Sequence, residues 1–360
     1  TVYHPDGTHV ITDEQWTKVL TEKGRREESK IELRYNRRYG AGAIEFVSVI
    51  GADGTERTID VSATTKESTD NSSASANIYD PMARRLVCTI PGVKVGETIH
   101  YRTRKTMEKS RVENQFADIS ILEWQCPIVR QTVRVRAPAE RPLKCIAIRK
   151  PLGNVTYTEE KQADGSTLHT WVAKDSPQAF PEPDMPPLYG ELQHLRVSTA
   201  TDWPELSRWY WNLCLPHLER TNAGITNKVN ELVAGLPRDN APETVLAKVN
   251  AIYKWVAQEI RYMGLTMEDT SPGYAPHDVS ITFDNRYGVC RDKAGLLVTM
   301  LRQAGLDAFP VLIHTSLKMD AEVPLPYFNH AIVAVRAPGV GPANPDGFIL
   351  MDPTDESSRD

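Results

Sequence analysis

The chain has 360 residues, a net charge of −5, 40% hydrophobic residues and 25% charged residues. That length accommodates about two domains of ~150 residues, and the composition is that of a globular protein. The acidic balance gives no footprint for nucleic acid, and no apolar run approaches the ~20 residues of a membrane span. The local basic runs at Arg25-Arg26, Arg34 to Arg38 and Arg102 to Lys105 read as solvated faces.

The first half reads as strands. KIELRYNRRYG alternates polar and apolar residues, and AIEFVSVIGADGTERTIDVSA carries two extended runs around Asp53-Gly54, a hairpin signal. Ser62 to Asn77, rich in Ser, Thr and Asn, reads as an exposed loop. LVCTIPGVKVGETIHYRTRK repeats the hairpin design with a turn at Val95-Gly96. IVRQTVRVRAP, LKCIAIRK, NVTYTEE and LHTWVAK follow, with Asp164-Gly165 as another turn. Short strands with regularly spaced turns predict an antiparallel β-sandwich. The proline-rich piece from Pro177 to Pro187 suits neither helix nor central strand and reads as a connector. The predicted division is residues 1–190 and 191–360, the second part opening with a helical lead-in over 200–262.

Helical periodicity begins after the connector. Asp202 and Pro204 suit a first turn, with Leu206, Trp209, Tyr210 and Leu213 on one face. A second helix opens at Asn240, where Pro242 and Glu243 take the positions of a cap and capping box. Its stripe is Val245, Val249, Ile252, Val256 and Ile260. A third helix starts at Cys290 and ends near Gly305, a natural C-terminal cap. Strands follow at Ala308 to His314, His330 to Arg336 and Phe348 to Met351. The stretch from Tyr262 to Gly288 lacks regular periodicity. A long loop inside a compact domain is usually functional, so it is expected to wall a substrate groove.

Chemistry concentrates at Cys290. Cys88, Cys126, Cys145, Cys214 and Cys290 form no CxxC pair, so neither a zinc site nor a dense disulfide scaffold is indicated; the first four read as inert thiols, though a bridge or two in the first half stays open. Cys290 sits in the first turn of a helix, where the positive end of the dipole favours thiolate. Gly288 is expected to permit the tight entry and to leave room beside the sulfur. A thiol nucleophile needs a base, and the base needs an orienting group. His330 opens one strand and Asp352 closes the next, so a hairpin would set them nearly opposite, ~5 Å apart at Cβ. His314 and His277 are rival bases. Asp292 reads as a first-turn helix stabiliser, and Arg291 and Lys293 either add positive field or face solvent.

Three motif blocks in this order, Gly-Val-Cys290-Arg-Asp-Lys, Asn-His330-Ala and Met-Asp352-Pro, resemble the transglutaminase-like superfamily. The resemblance covers roughly residues 240–355 and implies a papain-like α+β core. The preceding part, with PGVKVGETIHYR and LRVSTATDWPELSRWY, resembles the domain of unknown function that accompanies this core in exported bacterial proteins. The resemblance implies Cys290 as nucleophile, His330 as general base and acid, and Asp352 as the group orienting His330. The Cys290 backbone N–H is one natural oxyanion donor, and Tyr262, Tyr274 and Asn285 are candidates for the second.

The implied chemistry is acyl transfer on amide bonds through a thioester, with hydrolysis preferred. A protein-glutamine transglutaminase and a non-catalytic binding or assembly module are the alternatives. The expected partner is a peptide or protein substrate, cell-wall peptide among the options, with no nucleic acid and no cofactor. Glu268, Asp269 and Asp278 lack an EF-hand pattern, so no metal is expected. The reading also expects an exported, periplasmic or cell-surface protein whose targeting segment and C-terminal continuation lie outside this chain.

Overall fold

The computed structural model describes residues 1–239, 241–265, 273–340 and 347–356. It is a mixed α+β chain that divides into two units. The first comprises Thr1–Ser72, Asp80–Thr201 and Asp320–Leu325; the second comprises Ser73–Tyr79, Asp202–Met319 and Pro326–Asp360. Among the described residues, no helix is long and apolar enough to cross a membrane.

The first unit is built on an eight-stranded sheet. In spatial order its strands are Val155–Lys161, Thr167–Ser176, Ile128–Ala137, Val2–Tyr3, His9–Lys18, Thr98–Met107, Gly40–Ile50 and Glu56–Ile59. All neighbours are antiparallel except Val2–Tyr3 against Ile128–Ala137. Two three-stranded sheets supply the rest. Lys30–Asn36, Ala83–Thr89 and Thr65–Thr69 form one, and Ala117–Ile121, His194–Ser198 and Cys145–Arg149 form the other. The apolar faces meet in two clusters. Ile31, Leu33 and Cys88 pack with Val47, Val49 and Ile99, while Leu195 and Val197 pack with Val135, Trp171 and Ala173. Alternate side chains enter these clusters along Gly40–Ile50 (Val47, Val49), Ile128–Ala137 (Val135, Ala137) and Thr167–Ser176 (Trp171, Ala173).

The Asp53-Gly54 and Asp164-Gly165 turns form where the sequence predicts them. Gly54 and Gly165 have φ of +83° and +84°, values that side chains with a Cβ rarely adopt. Two other readings differ, and one strand lies where no element is predicted. Ala83–Thr89 and Thr98–Met107 do not pair as a hairpin; the chain changes sheet at the Gly92 and Gly96 turns. The expected exposed loop over 62–77 contains a helix, Val61–Thr64, capped by Asp60, and a strand, Thr65–Thr69. His194–Ser198, which follows the proline-rich connector, is a fully buried central strand.

The second unit packs helices against a three-stranded antiparallel sheet of Ala308–Ile313, His330–Arg336 and Phe348–Met351, with His330–Arg336 in the middle. Its helices are Trp203–Leu218, Ala223–Leu232, Pro242–Glu259, Val279–Asn285 and Cys290–Gln303. Asp202 caps the first of them by accepting the Glu205 N–H at 2.8 Å. Leu206, Tyr210, Cys214 and Leu218 are its buried stripe, with Trp209 and Leu213 only half-buried. The Pro242–Glu259 helix has Ala241 at its N-cap and no side-chain cap; Asn240 lies outside the described residues. Val279–Asn285 is helical inside the stretch read as a loop, whose 266–272 portion lies outside the described residues. The Cys290–Gln303 helix is the hub. Ten of its fourteen residues are buried, Asp292, Lys293 and Thr299 among them, as in a helix enclosed by other elements.

Candidate active site

Cys290 is the first residue of that central helix, partly exposed at its N-terminal end. The helix start is fixed by Asp292. Its Oδ2 accepts the Val289 N–H at 2.9 Å, and its Oδ1 accepts the His277 N–H at 2.9 Å and lies 3.1 Å from the His277 ring. Burial pushes this carboxyl up, but the His277 hydrogen bond and the Arg291 charge outweigh it and leave the pKa lowered. Asp292 therefore stabilises the first turn and also ties 273–278 to it. His277 is engaged in this cap. Gly288 serves the same cap: a Cβ there would stand 2.6 Å from the Asp292 Cβ. Its missing side chain makes room for Asp292, where the sequence reading had placed the sulfur.

His330 opens the central strand of the sheet and Asp352 follows the neighbouring strand. The strands pair antiparallel with Val333 opposite Met351. Continuing that register sets Asp352 opposite Ile332, so His330 and Asp352 are diagonal neighbours on one face. The diagonal still closes: His330 Nε2 lies 2.8 Å from Asp352 Oδ2. The other carboxylate oxygen accepts from Thr354 N–H at 3.0 Å and Thr354 Oγ at 2.7 Å, and the Asp352 carbonyl accepts from the Tyr253 hydroxyl at 2.9 Å. The turn-forming and histidine-orienting roles of Asp352 thus use different oxygens.

The His330 imidazole has Asp352 and Cys290 as its two side-chain hydrogen-bond partners. With Nε2 given to Asp352, Nδ1 is the nitrogen left for the thiol. Hydrogen bonding to Asp352 first, then to Cys290, raises His330 from 6.5 to about 10 against the opposing effect of burial. Burial pushes Asp352 up, but the His330 and Thr354 hydrogen bonds bring it down to about 2. The pair therefore favours an imidazolium at His330 against an ionised Asp352.

The three second-donor candidates fall in different places. Tyr262 lies on Arg261–Tyr262, which pairs parallel with Tyr287–Gly288 and so runs beside the chain entering Cys290. Its hydroxyl interacts with both the Cys290 side chain and the Cys290 backbone N–H. Burial, then the Cys290 side chain, pushes the phenol up to about 12, so it stays a proton donor at any ordinary pH. Tyr274 instead donates to the Pro326 carbonyl at 2.7 Å and lies 3.3 Å from the Phe328 N–H, gripping the chain that leads into His330. Asn285 ends the Val279–Asn285 helix and lines a cleft with His277, Gly288 and Arg291.

The remaining candidates have other partners. His314 Nδ1 accepts the Ser316 and Leu317 N–H groups in a turn. Asp278 faces His217 at 2.7 Å and Arg220 at 3.0 Å, while Glu268 and Asp269 lie outside the described residues. Lys293 corrects the sequence reading most sharply. It is completely buried, and its Nζ donates to the Ala257 carbonyl at 3.0 Å and to the Ile260 carbonyl. Burial brings it down to about 8, against the Glu356 and Asp352 charges.

Residues 231–353, which hold Cys290, His330 and Asp352, match the transglutaminase-like superfamily. The chain carries a transglutaminase-like domain. Residues 5–180, ahead of it, match DUF3857, a domain of unknown function with solved structures. No curated protein matches the sequence. Among solved structures, a "putative protease" from Parabacteroides distasonis superposes with a TM-score of 0.74 at 17% identity, over 98% of this chain. This chain spans 65% of that protein's length. A "putative cysteine protease" from Cytophaga hutchinsonii aligns at 14% identity over 96% of this chain and 75% of its own, with a TM-score of 0.26. The first of these shares the fold, and the superfamily match supports an enzyme of the cysteine-dependent kind.

Proposed function

We propose that the transglutaminase-like domain cleaves amide bonds of a peptide or protein through a thioester on Cys290. The observation that carries this reading is the placement of His330 between Asp352, at 2.8 Å, and the Cys290 thiol. His330 holds the thiol proton as imidazolium, and Asp352 fixes the ring. Cys290 Sγ attacks the carbonyl carbon, forming a C–S bond and a tetrahedral oxyanion. The Tyr262 hydroxyl interacts with the Cys290 side chain and its backbone N–H, and in this reading these two donors take the developing oxygen. As the intermediate collapses the C–N bond breaks and His330 gives its proton to the leaving amine. Water, deprotonated by His330, then attacks the thioester, releasing the acid and restoring the thiol. Water is the acceptor in this reading because it needs no amine-selective second site.

The test is selective labelling followed by an activity assay. Iodoacetamide is expected to alkylate Cys290 faster than Cys126, which is the exposed thiol, and far faster than the buried Cys88 and Cys214. Cys290→Ala should abolish cleavage of a casein substrate. Equal, slow labelling of all thiols, or full activity in Cys290→Ala, would refute the proposal. Incorporation of a primary amine into a glutamine peptide, in preference to release of free acid, would replace hydrolysis by amine transfer.

A further inference from the structure

We propose that Lys293, acting with Glu356, is a positioning residue that holds the Tyr262 hydroxyl at the oxyanion site beside Cys290. The inference rests on the thioester reading above and assigns a task to a buried lysine which that reading leaves unused.

Three segments converge on Lys293. It belongs to the first turn of the Cys290–Gln303 helix, three residues after the nucleophile. Its ammonium reaches the C-terminal end of the Pro242–Glu259 helix and binds the Ala257 and Ile260 carbonyls. The amide four positions on from Ala257, that of Arg261, donates to Arg286 rather than back to the Ala257 carbonyl. A cation at a helix C-terminus also opposes the negative end of the dipole. The chain leaves this helix through extended Ile260 and enters the strand that carries Tyr262. Lys293 therefore ties the turn bearing the sulfur to the turn launching Tyr262.

Glu356 closes the other side. In the parallel pair, the Arg261 and Met263 N–H groups point to Arg286 and Gly288. The Tyr262 N–H points to the opposite edge, which no strand among the described residues covers, and Glu356 Oε1 accepts it. The same oxygen lies 3.9 Å from Lys293 Nζ. Glu356 follows Asp352 by four residues, so one ion pair joins the Cys290, Tyr262 and Asp352 segments. Glu356 and Asp352 are the charged groups facing the ammonium.

The experiment separates oxyanion stabilisation from thiol reactivity. p-Nitrophenyl acetate acylates Cys290: the C–S bond forms through an oxyanion, the ester C–O bond breaks, and p-nitrophenolate leaves. Iodoacetamide alkylates the same sulfur without an oxyanion. Both rates are measured on the intact chain, with folding monitored by circular dichroism. Tyr262→Phe sets the scale, since loss of one oxyanion donor costs ~10²–10³-fold. Lys293→Met is expected to slow acylation by about 10-fold or more while alkylation changes by less than ~3-fold, because a displaced donor loses part of that effect. The double variant Lys293→Met/Tyr262→Phe should be no slower than Tyr262→Phe alone, as expected when one residue acts through the other. Glu356→Ala, at a half-exposed position, should reproduce the selective loss and carries the test if Lys293→Met does not fold.

Equal loss of both rates, no loss of either, or additive losses in the double variant would overturn the proposal. Persistent acylation in Cys290→Ala would instead overturn the thioester reading itself. The two failures are therefore distinguishable.

Discussion

Replacing Asp352 by Asn tests the charge relation that organises the site. His330 is raised from 6.5 to about 10, with the Asp352 hydrogen bond as the largest cause and the Cys290 thiol second. A rise of that size corresponds to about 5 kcal/mol of preference for the imidazolium over the neutral ring. The Asp352 side chain is 44% exposed, while His330 is 14% exposed. Solvent screening on the carboxylate side reduces its share to ~2 kcal/mol, or ~1.5 pH units. Asn keeps the shape and removes the charge. Its amide can still accept from the ring, or it can flip and donate, which favours the wrong tautomer. The His330 titration, followed by NMR of histidine labelled at Cε1 and assigned with His330→Gln, should fall by ~1–2 pH units in Asp352→Asn. A smaller fall is expected in Cys290→Ala, where the second contributor is lost. A His330 titration near 6.5 in the wild type would refute the reasoning. So would a larger fall in Cys290→Ala than in Asp352→Asn.

The sign of the pH dependence follows from the same group. A histidine raised on folding stabilises the folded state fully below 6.5, and this contribution disappears as pH rises through about 10. Chemical denaturation of the wild type should therefore weaken between those values, and Asp352→Asn should flatten that slope. Asp320 gives the opposite case. Its side chain is 6% exposed, receives Arg149 at 2.7 and 2.9 Å and Arg196 at 3.1 Å, and is held well below the usual carboxylate range, chiefly by the Arg149 hydrogen bond. Its stabilisation is present above 3.8 and is lost as pH falls below that value. Asp320→Asn should destabilise the first unit by ~3–5 kcal/mol at neutral pH in urea titrations and remove part of the acid slope. Gly288→Ala places a Cβ against Asp292 and should cost ~1–3 kcal/mol, read as a lower midpoint of thermal unfolding, with a matching loss of casein cleavage.

The elements legible in the sequence are those whose signals and partners are local. Asp202 with Pro204, the helix from Cys290 to the Gly305 turn, and the Asp-Gly hairpins each carry their cause within a few residues. His330 and Asp352 are 22 positions apart, but they lie on consecutive strands, which made their pairing readable. Their diagonal register was not, because it depends on where the ladder closes, at the Ala337 N–H to Gly347 carbonyl bond. His194–Ser198 shows the opposite limit. The strand alternates polar His194, Arg196 and Ser198 with apolar Leu195 and Val197, a pattern that leaves its polar face to solvent, yet all three polar residues are buried. Arg196 can lie inside because Asp320 reaches it from 124 positions away, and His194 Nε2 lies 2.8 Å from its guanidinium.

Lys293 obeys the same rule at the site itself. By residue type a lysine one turn into a helix belongs to solvent. Here the end of another helix presents carbonyls that water does not reach, and the ammonium is their partner. A buried cation with no such partners would give up its proton, and one with them becomes a fixed joint. The short motif around Cys290 therefore encodes two things. Cys290 and its first-turn amide encode chemistry, while Asp292 and Lys293 encode attachment, one to the 273–278 segment and the other to the Tyr262 segment. The attachments are invisible in Gly-Val-Cys290-Arg-Asp-Lys because their partners, His277, Ala257, Ile260 and Glu356, lie elsewhere in the chain.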